Sequence, residues 1–211
     1  MGEFIGCYYC NDPPGKYFQD QRNDPTEEEY RKLLLQLKVK YPEIHWGFLE
    51  SCGVNAFANC LGATVRGRKI IDKLTVTLGT YENQIPHLFI GCLNDPINYA
   101  EMRRIRSNLD PRLIQGNRVP QYYELLARIY CGITAHFEWG CSFDKVKDIL
   151  LRSNPVQVCQ PGHYIAVTGY NPKSDMMRIL NSNPKAGNGV EERTRQDFKT
   201  FENWLVWYEI Q

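Results

Sequence analysis

Between residues 26 and 151 the apolar positions recur mostly with helical spacing, and beyond residue 155 they take the spacing of strands. Thr26-Glu27-Glu28-Glu29 offers an N-cap with a Glu three residues on, and Tyr30, Leu33, Leu34 and Leu37 follow along one helical face. That helix is expected to stop before Pro42. A second is expected over 53–61, with Ala56, Phe57 and Cys60 on its inner face and Gly62 at its C-terminus. The stretch 65–80, with Ile70, Ile71, Leu74, Val76 and Leu78, fits both a helix and a following strand. Residues 97–107 and 119–130 read as helical, the latter through Tyr122, Leu125, Leu126 and Ile129. The pattern also predicts a helix over 142–151, with Ser142 as N-cap and Val146, Ile149 and Leu150 turned inward.

Four later runs, at 155–159, 164–170, 176–180 and 204–210, are rich in Val, Ile, Tyr and Trp and are parted by Gly, Pro, Asn and Asp clusters. They predict strands. Helices first and strands afterwards indicate an α+β fold, a helical subdomain packed on a largely antiparallel sheet. Residues 1–25 hold turn formers (Asn11 to Gly15, then Asn23 to Pro25) around a short aromatic run, so they are expected to be extended or looped and to lie over the rest. A length of 211 residues points to one domain over 1–211, with no internal repeat.

A hydrophobic share of 43% supplies a core, and a net charge of +1 gives no dominant grip on nucleic acid or an anionic membrane. The charged run Met102 to Arg106 therefore reads as a solvated helix face. No stretch has the length of an apolar membrane span, and the first ten residues lack a basic segment followed by an apolar run. The expectation is a soluble, cytoplasmic protein. The Met-Gly start resembles a myristoylation signal, but Gly6 stands where that signal requires Ser or Thr. Eight cysteines are too few for a disulfide scaffold, and Cys52 and Cys60 on one helix stand roughly 12 Å apart, beyond bridging. Cys7-x-x-Cys10 has no second pair or close His pair to complete a zinc site, so no metal and no cofactor is expected.

Two places remain where chemistry can reside. Cys52, in Ser51-Cys52-Gly53-Val54-Asn55-Ala56, falls at the first turn of the second helix, where unpaired N–H groups and the dipole favour thiolate over thiol. His163 opens a strand, Gly162-His163-Tyr164-Ile165-Ala166-Val167, and shares its face with Ile165 and Val167; an imidazole at a strand end can act as a general base. The next strand runs out in Asn181-Ser182-Asn183-Pro184, whose two asparagines project to one side, and either could orient an imidazole through its amide oxygen. Cys, then His, then Asn is the order found in papain-like enzymes.

Three stretches resemble the papain-like cysteine peptidases of the C39-like group, which includes double-glycine leader peptidases and phage and bacterial relatives. Tyr17-Phe18-Gln19-Asp20-Gln21-Arg22-Asn23 is similar to that family's opening segment, and Cys52-Gly53-Val54-Asn55-Ala56 to its nucleophile helix. Pro155-Val156-Gln157-Val158, Gly162 to Tyr170 and Asn181 to Pro184 resemble its strand motifs and give the most specific of the three matches. The resemblance implies a papain-like fold with Cys52 as nucleophile, His163 as base and Asn183 as the residue orienting His163, standing where the family usually has Asp before Pro. It also implies an oxyanion role for Gln21, with Gln19 as rival, although the helix predicted from Thr26 separates both from Cys52.

The activity implied is cleavage of a peptide or amide bond through a thioester. The substrate would be a peptide, a protein or peptidoglycan. The alternatives are a catalytically silent binding module on the same fold and a Cys-dependent acyltransferase. Between the two asparagines, Asn183 is preferred: it precedes Pro184, which holds it extended at the strand's end.

Overall fold

The computed structural model describes residues 3–12, 15–18, 52–78, 120–160, 162–184, 188–198 and 204–210, for Tyr122 and 75–78 the backbone alone. The helices expected from Thr26 and over 97–107 lie outside these residues. In chain order the described elements are β1 (Ile5–Gly6), α1 (Cys52–Gly62), α2 (Val65–Leu78), α3 (Pro120–Leu126), β2 (Thr134–Trp139), α4 (Phe143–Leu150), β3 (Val156–Gln160), β4 (His163–Asn171), β5 (Met176–Leu180), β6 (Val190–Thr194), α5 (Arg195–Phe198) and β7 (Trp204–Glu209).

All strand pairs among the described residues are antiparallel, and the sheet runs β2-β7-β3-β4-β5-β6. β1 pairs with β4 at Gly169 and Tyr170, beyond the point at which β3 leaves it at Val167. The fold is therefore α+β, with four of the predicted strands found within a residue or two of their expected ends.

Alternation along β4 divides the core in two. Tyr164 and Ala166 join a cluster with Val54, Phe57 and Leu61 of α1, whereas Ile165 and Val167 join one with Val146, Ile149 and Leu150 of α4. The sheet is thus covered on both faces, which explains why β4 is buried from Tyr164 to Asn171 and reads as a nearly continuous apolar run. α4 begins as expected, with the Ser142 hydroxyl accepting from the Lys145 N–H at 3.2 Å.

α1 departs from the amphipathic expectation: every residue from Cys52 to Gly62 is buried, not just an inner face. Its small residues, Gly53, Ala56, Ala58 and Gly62, let it sit between β4 and α2 with no outward side. The ambiguous stretch after it is a helix, Val65–Leu78, where Ile71 is buried against the α1 cluster. The helix from Pro120 widens after Leu126 into a π turn, Ala127–Cys131, closed by Gly132 at φ 60°.

The N-terminal residues are anchored to the sheet. Cys7 N–H donates to the Thr168 carbonyl at 3.0 Å, and Phe4, Cys7 and Cys10 are buried in the α4 cluster. This backbone contact needs Gly6, since a Cβ there would stand 2.8 Å from the Thr168 carbonyl oxygen.

Candidate active site

α1 and β4 run alongside each other, and three contacts fix which ends meet. A Cβ on Gly53 would lie 3.4 Å from Cδ2 of Tyr164, so the start of the helix touches the start of the strand. At the far end, the carbonyl of Ala63 accepts from Tyr9 N–H at 3.1 Å, and Cys7, two residues before Tyr9, bonds to Thr168. Cys52 opens α1 and His163 opens β4, so the two predicted reactive residues belong to the same end of this layer.

The helix start is held from below by a buried polar chain. Gln157 of β3 donates from Nε2 to the Gly53 carbonyl at 3.2 Å, and the Tyr208 hydroxyl of β7 donates to Gln157 Oε1 at 2.6 Å. Both residues are fully buried. A carbonyl in the first turn of a helix already serves the helical ladder, and the Gln157 amide takes its second lone pair, fixing the helix start against two strands. Cys52 itself is 3% exposed.

His163 is half-buried, and burial holds its imidazole below the usual histidine range, against the hydrogen bond to Asn181, which acts in the opposite direction. Its Nε2 lies 2.8 Å from Oδ1 of Asn181, its one hydrogen bond among the described residues. Asn181 is buried at 6% exposure; Asn183 is exposed and instead gives its backbone N–H to Asn181 Oδ1 at 3.0 Å. The expectation that Asn183 contacts His163 is therefore corrected in favour of Asn181. The reason is local: the chain turns after Leu180 into a bend over Ser182 and Asn183, so the extended alternation that was to aim residue 183 has ended.

The structure brings His163 and Asn181 into contact and sets Cys52 at the neighbouring helix end. Gln21 and Gln19 lie outside the described residues. Of the other histidines, His45 and His87 also lie outside them. His136 is on β2, three strands from β4, stacked on Trp207 at 4.9 Å and 2.9 Å from Glu209 Oε1. It has no place beside Cys52.

Burial raises the thiols of Cys7, Cys10 and Cys60 above their ordinary value and pushes Cys141 up to about 12, so these four remain protonated and poorly nucleophilic at neutral pH. Among the described residues no group of three or more His, Cys, Asp or Glu could hold a metal, and no helix is long and apolar enough to cross a membrane.

The model of the Peptidase_C39 like family matches residues 32–211, most of the chain. The chain belongs to the Peptidase_C39 like family. A helix-opening cysteine, a strand-opening histidine and an asparagine ending the adjacent strand are all inside the matched span, in a papain-like α+β fold. This Peptidase_C39 like chain is accordingly a relative of cysteine peptidases. The match begins after the stretch Tyr17 to Asn23, so the segment holding Gln21 and Gln19 falls outside it. No curated protein matches the chain.

Two further residues at the site had no place in the sequence reading. Glu191 Oε1 accepts from Asn181 Nδ2 at 2.6 Å, and Glu191 Oε2 accepts from Arg193 Nη2 at 2.6 Å and Nε at 3.0 Å. Their strand, Val190-Glu191-Glu192-Arg193-Thr194, carries four polar residues in five and gives no hydrophobic signal. Only the two-residue spacing of Glu191 and Arg193, which sends both to one face, could have marked it.

Proposed function

We propose that this protein is a cysteine peptidase or amidase that cleaves a peptide or amide bond through a thioester on Cys52. The observation that carries the reading is the meeting of the α1 start with the β4 start, beside a His163 whose Nε2 is engaged by Asn181. With Nε2–H donating to the Asn181 oxygen, Nδ1 bears the lone pair and is the nitrogen free to take a proton from a thiol. Thiolate Cys52 attacks the substrate carbonyl, His163 protonates the leaving amine, and water attacks the thioester with His163 as base, returning Cys52. The first N–H groups of α1 point toward the developing oxyanion.

The thiol and imidazole need to close on each other for this chemistry, and such contacts tighten when a substrate is bound. The candidate substrates are peptides, proteins and peptidoglycan cross-links. The test is iodoacetamide labelling at pH 6 with mass-spectrometric mapping, followed by turnover of peptide and peptidoglycan panels by wild type and Cys52→Ala. Fast labelling confined to Cys52, with turnover abolished in a folded Cys52→Ala protein, is expected. A Cys52 that reacts like an ordinary thiol, or a Cys52→Ala variant at the wild-type rate, would overturn the reading and leave a binding module on this fold.

A further inference from the structure

We propose that Glu191 and Arg193 are positioning residues that set the orientation of the Asn181 amide and, through it, which nitrogen of His163 carries the proton. The inference rests on His163 being the base of the reaction proposed above.

A side-chain amide has an accepting end and a donating end, and the network around Asn181 can be satisfied in one orientation only. A carboxylate accepts and cannot donate, so Glu191 Oε1, at 2.6 Å, demands the Nδ2 end. A backbone N–H donates and cannot accept, so Asn183 N–H, at 3.0 Å, demands the Oδ1 end. With Oδ1 thus fixed on the far side, His163 Nε2 at 2.8 Å must be the donor. The proton is held on Nε2, and Nδ1 is left as the basic nitrogen. A flipped amide would offer N–H to Nε2, move the proton to Nδ1 and remove the base.

Arg193 holds Glu191 in this role. Its guanidinium gives two hydrogen bonds to Glu191 Oε2 and a third, from Nη1, to Gln160 Oε1 at 2.8 Å. Gln160 of β3 stands directly across from His163 of β4. The chain of contacts therefore runs from His163 through Asn181, Glu191, Arg193 and Gln160, and comes back to the strand position facing the imidazole. The side chains of Arg193 and Glu191 are only 20% and 29% exposed, so water competes weakly for these bonds.

The test reads His163 in the free protein, with no substrate, by ring ¹⁵N chemical shifts, together with the pH dependence of Cys52 alkylation. The wild type should show one tautomer, protonated on Nε2. Glu191→Gln, whose new amide can donate as well as accept, should show both tautomers and alkylate Cys52 at pH 6 on the order of tenfold more slowly. The charged groups that act on the ring are Glu191 and Arg193, both from β6. Glu191 raises and Arg193 lowers the imidazole's affinity for protons. Glu191→Gln should therefore move the His163 titration to lower pH and Arg193→Gln to higher pH, whereas loss of mere structural support would move both the same way. Arg193→Gln also serves if Glu191→Gln does not fold. A pure Nε2–H tautomer with unchanged titration in both variants would overturn the proposal. If the tautomer responds to Glu191 while wild-type Cys52 reacts as an ordinary thiol, the positioning role stands and the peptidase reading fails.

Discussion

Replacing Gly53 by Ala adds one methyl group at the residue beside Cys52, and two effects of opposite sign compete. Ala is favoured over Gly within a helix by about 1 kcal/mol. The new Cβ, however, would stand 1.7 Å from the Tyr123 hydroxyl oxygen and 2.8 Å from its Cζ. Tyr123 is fully buried among Phe57, Tyr164 and Trp204, with ring centroids 6.2–6.3 Å away, so its phenol has no open space to swing into. Overpacking of such a core costs about 1–3 kcal/mol, and at this separation it outweighs the helical gain. For a chain of this size, each kcal/mol is worth about 2–4 °C in Tm, so a net loss of about 1–2 kcal/mol lowers Tm by roughly 2–8 °C. Thermal unfolding of Gly53→Ala, Tyr123→Phe and the double variant closes a thermodynamic cycle. Because Tyr123→Phe deletes the clashing oxygen, Gly53→Ala should be cheaper in that background by at least about 0.5 kcal/mol. An equal cost in both backgrounds, or a stabilised single variant, would show that the start of α1 is not wedged against Tyr123.

Asn181→Ala should lower turnover by on the order of tenfold or more, and Asn183→Ala by under about threefold, because only Asn181 uses its side chain on His163. Steady-state rates of the two variants check this, and the reverse ranking would restore Asn183. The His163 imidazole binds its proton more weakly folded than unfolded, where its ordinary value is 6.5. The unfolded chain therefore takes up protons first as pH falls through about 6.5, and the contribution of the neutral ring to stability is full above that value and declines below it. Urea unfolding at pH 7.5 and 5.5 should show wild type losing more stability than His163→Gln; equal losses would refute it.

Regular elements with a clean apolar signature could be read directly from the sequence. Ser142 before Phe143 and the apolar runs of β3, β4 and β5 depend on local patterning, and their boundaries followed. β2 and β6 escaped because Thr134-Ala135-His136-Phe137-Glu138-Trp139 and Val190 to Thr194 lie at the two edges of the sheet path, half-exposed, where burial does not demand alternation of apolar residues. The site divides in the same way. Cys52 and His163 were marked by their positions at element starts, a property of the chain itself. The choice between Asn181 and Asn183 depended on where β5 stops and the chain bends, which is decided by tertiary contacts: Asn181 N–H donates to the Gly189 carbonyl at 2.7 Å, a residue that no local rule links to it.

β7 is the last described strand in the chain, yet it lies inside the sheet, between β2 and β3. During synthesis, β2 leaves the ribosome some seventy residues before its only described strand partner exists. Until residues 204–209 arrive, β2 and one edge of β3 carry unpaired backbone, the kind of edge that recruits foreign strands. The nascent chain cannot complete its sheet progressively from the N-terminus. Closure waits for residues 204–209, so the long-range pairing makes refolding from denaturant slower than the helical content alone would suggest.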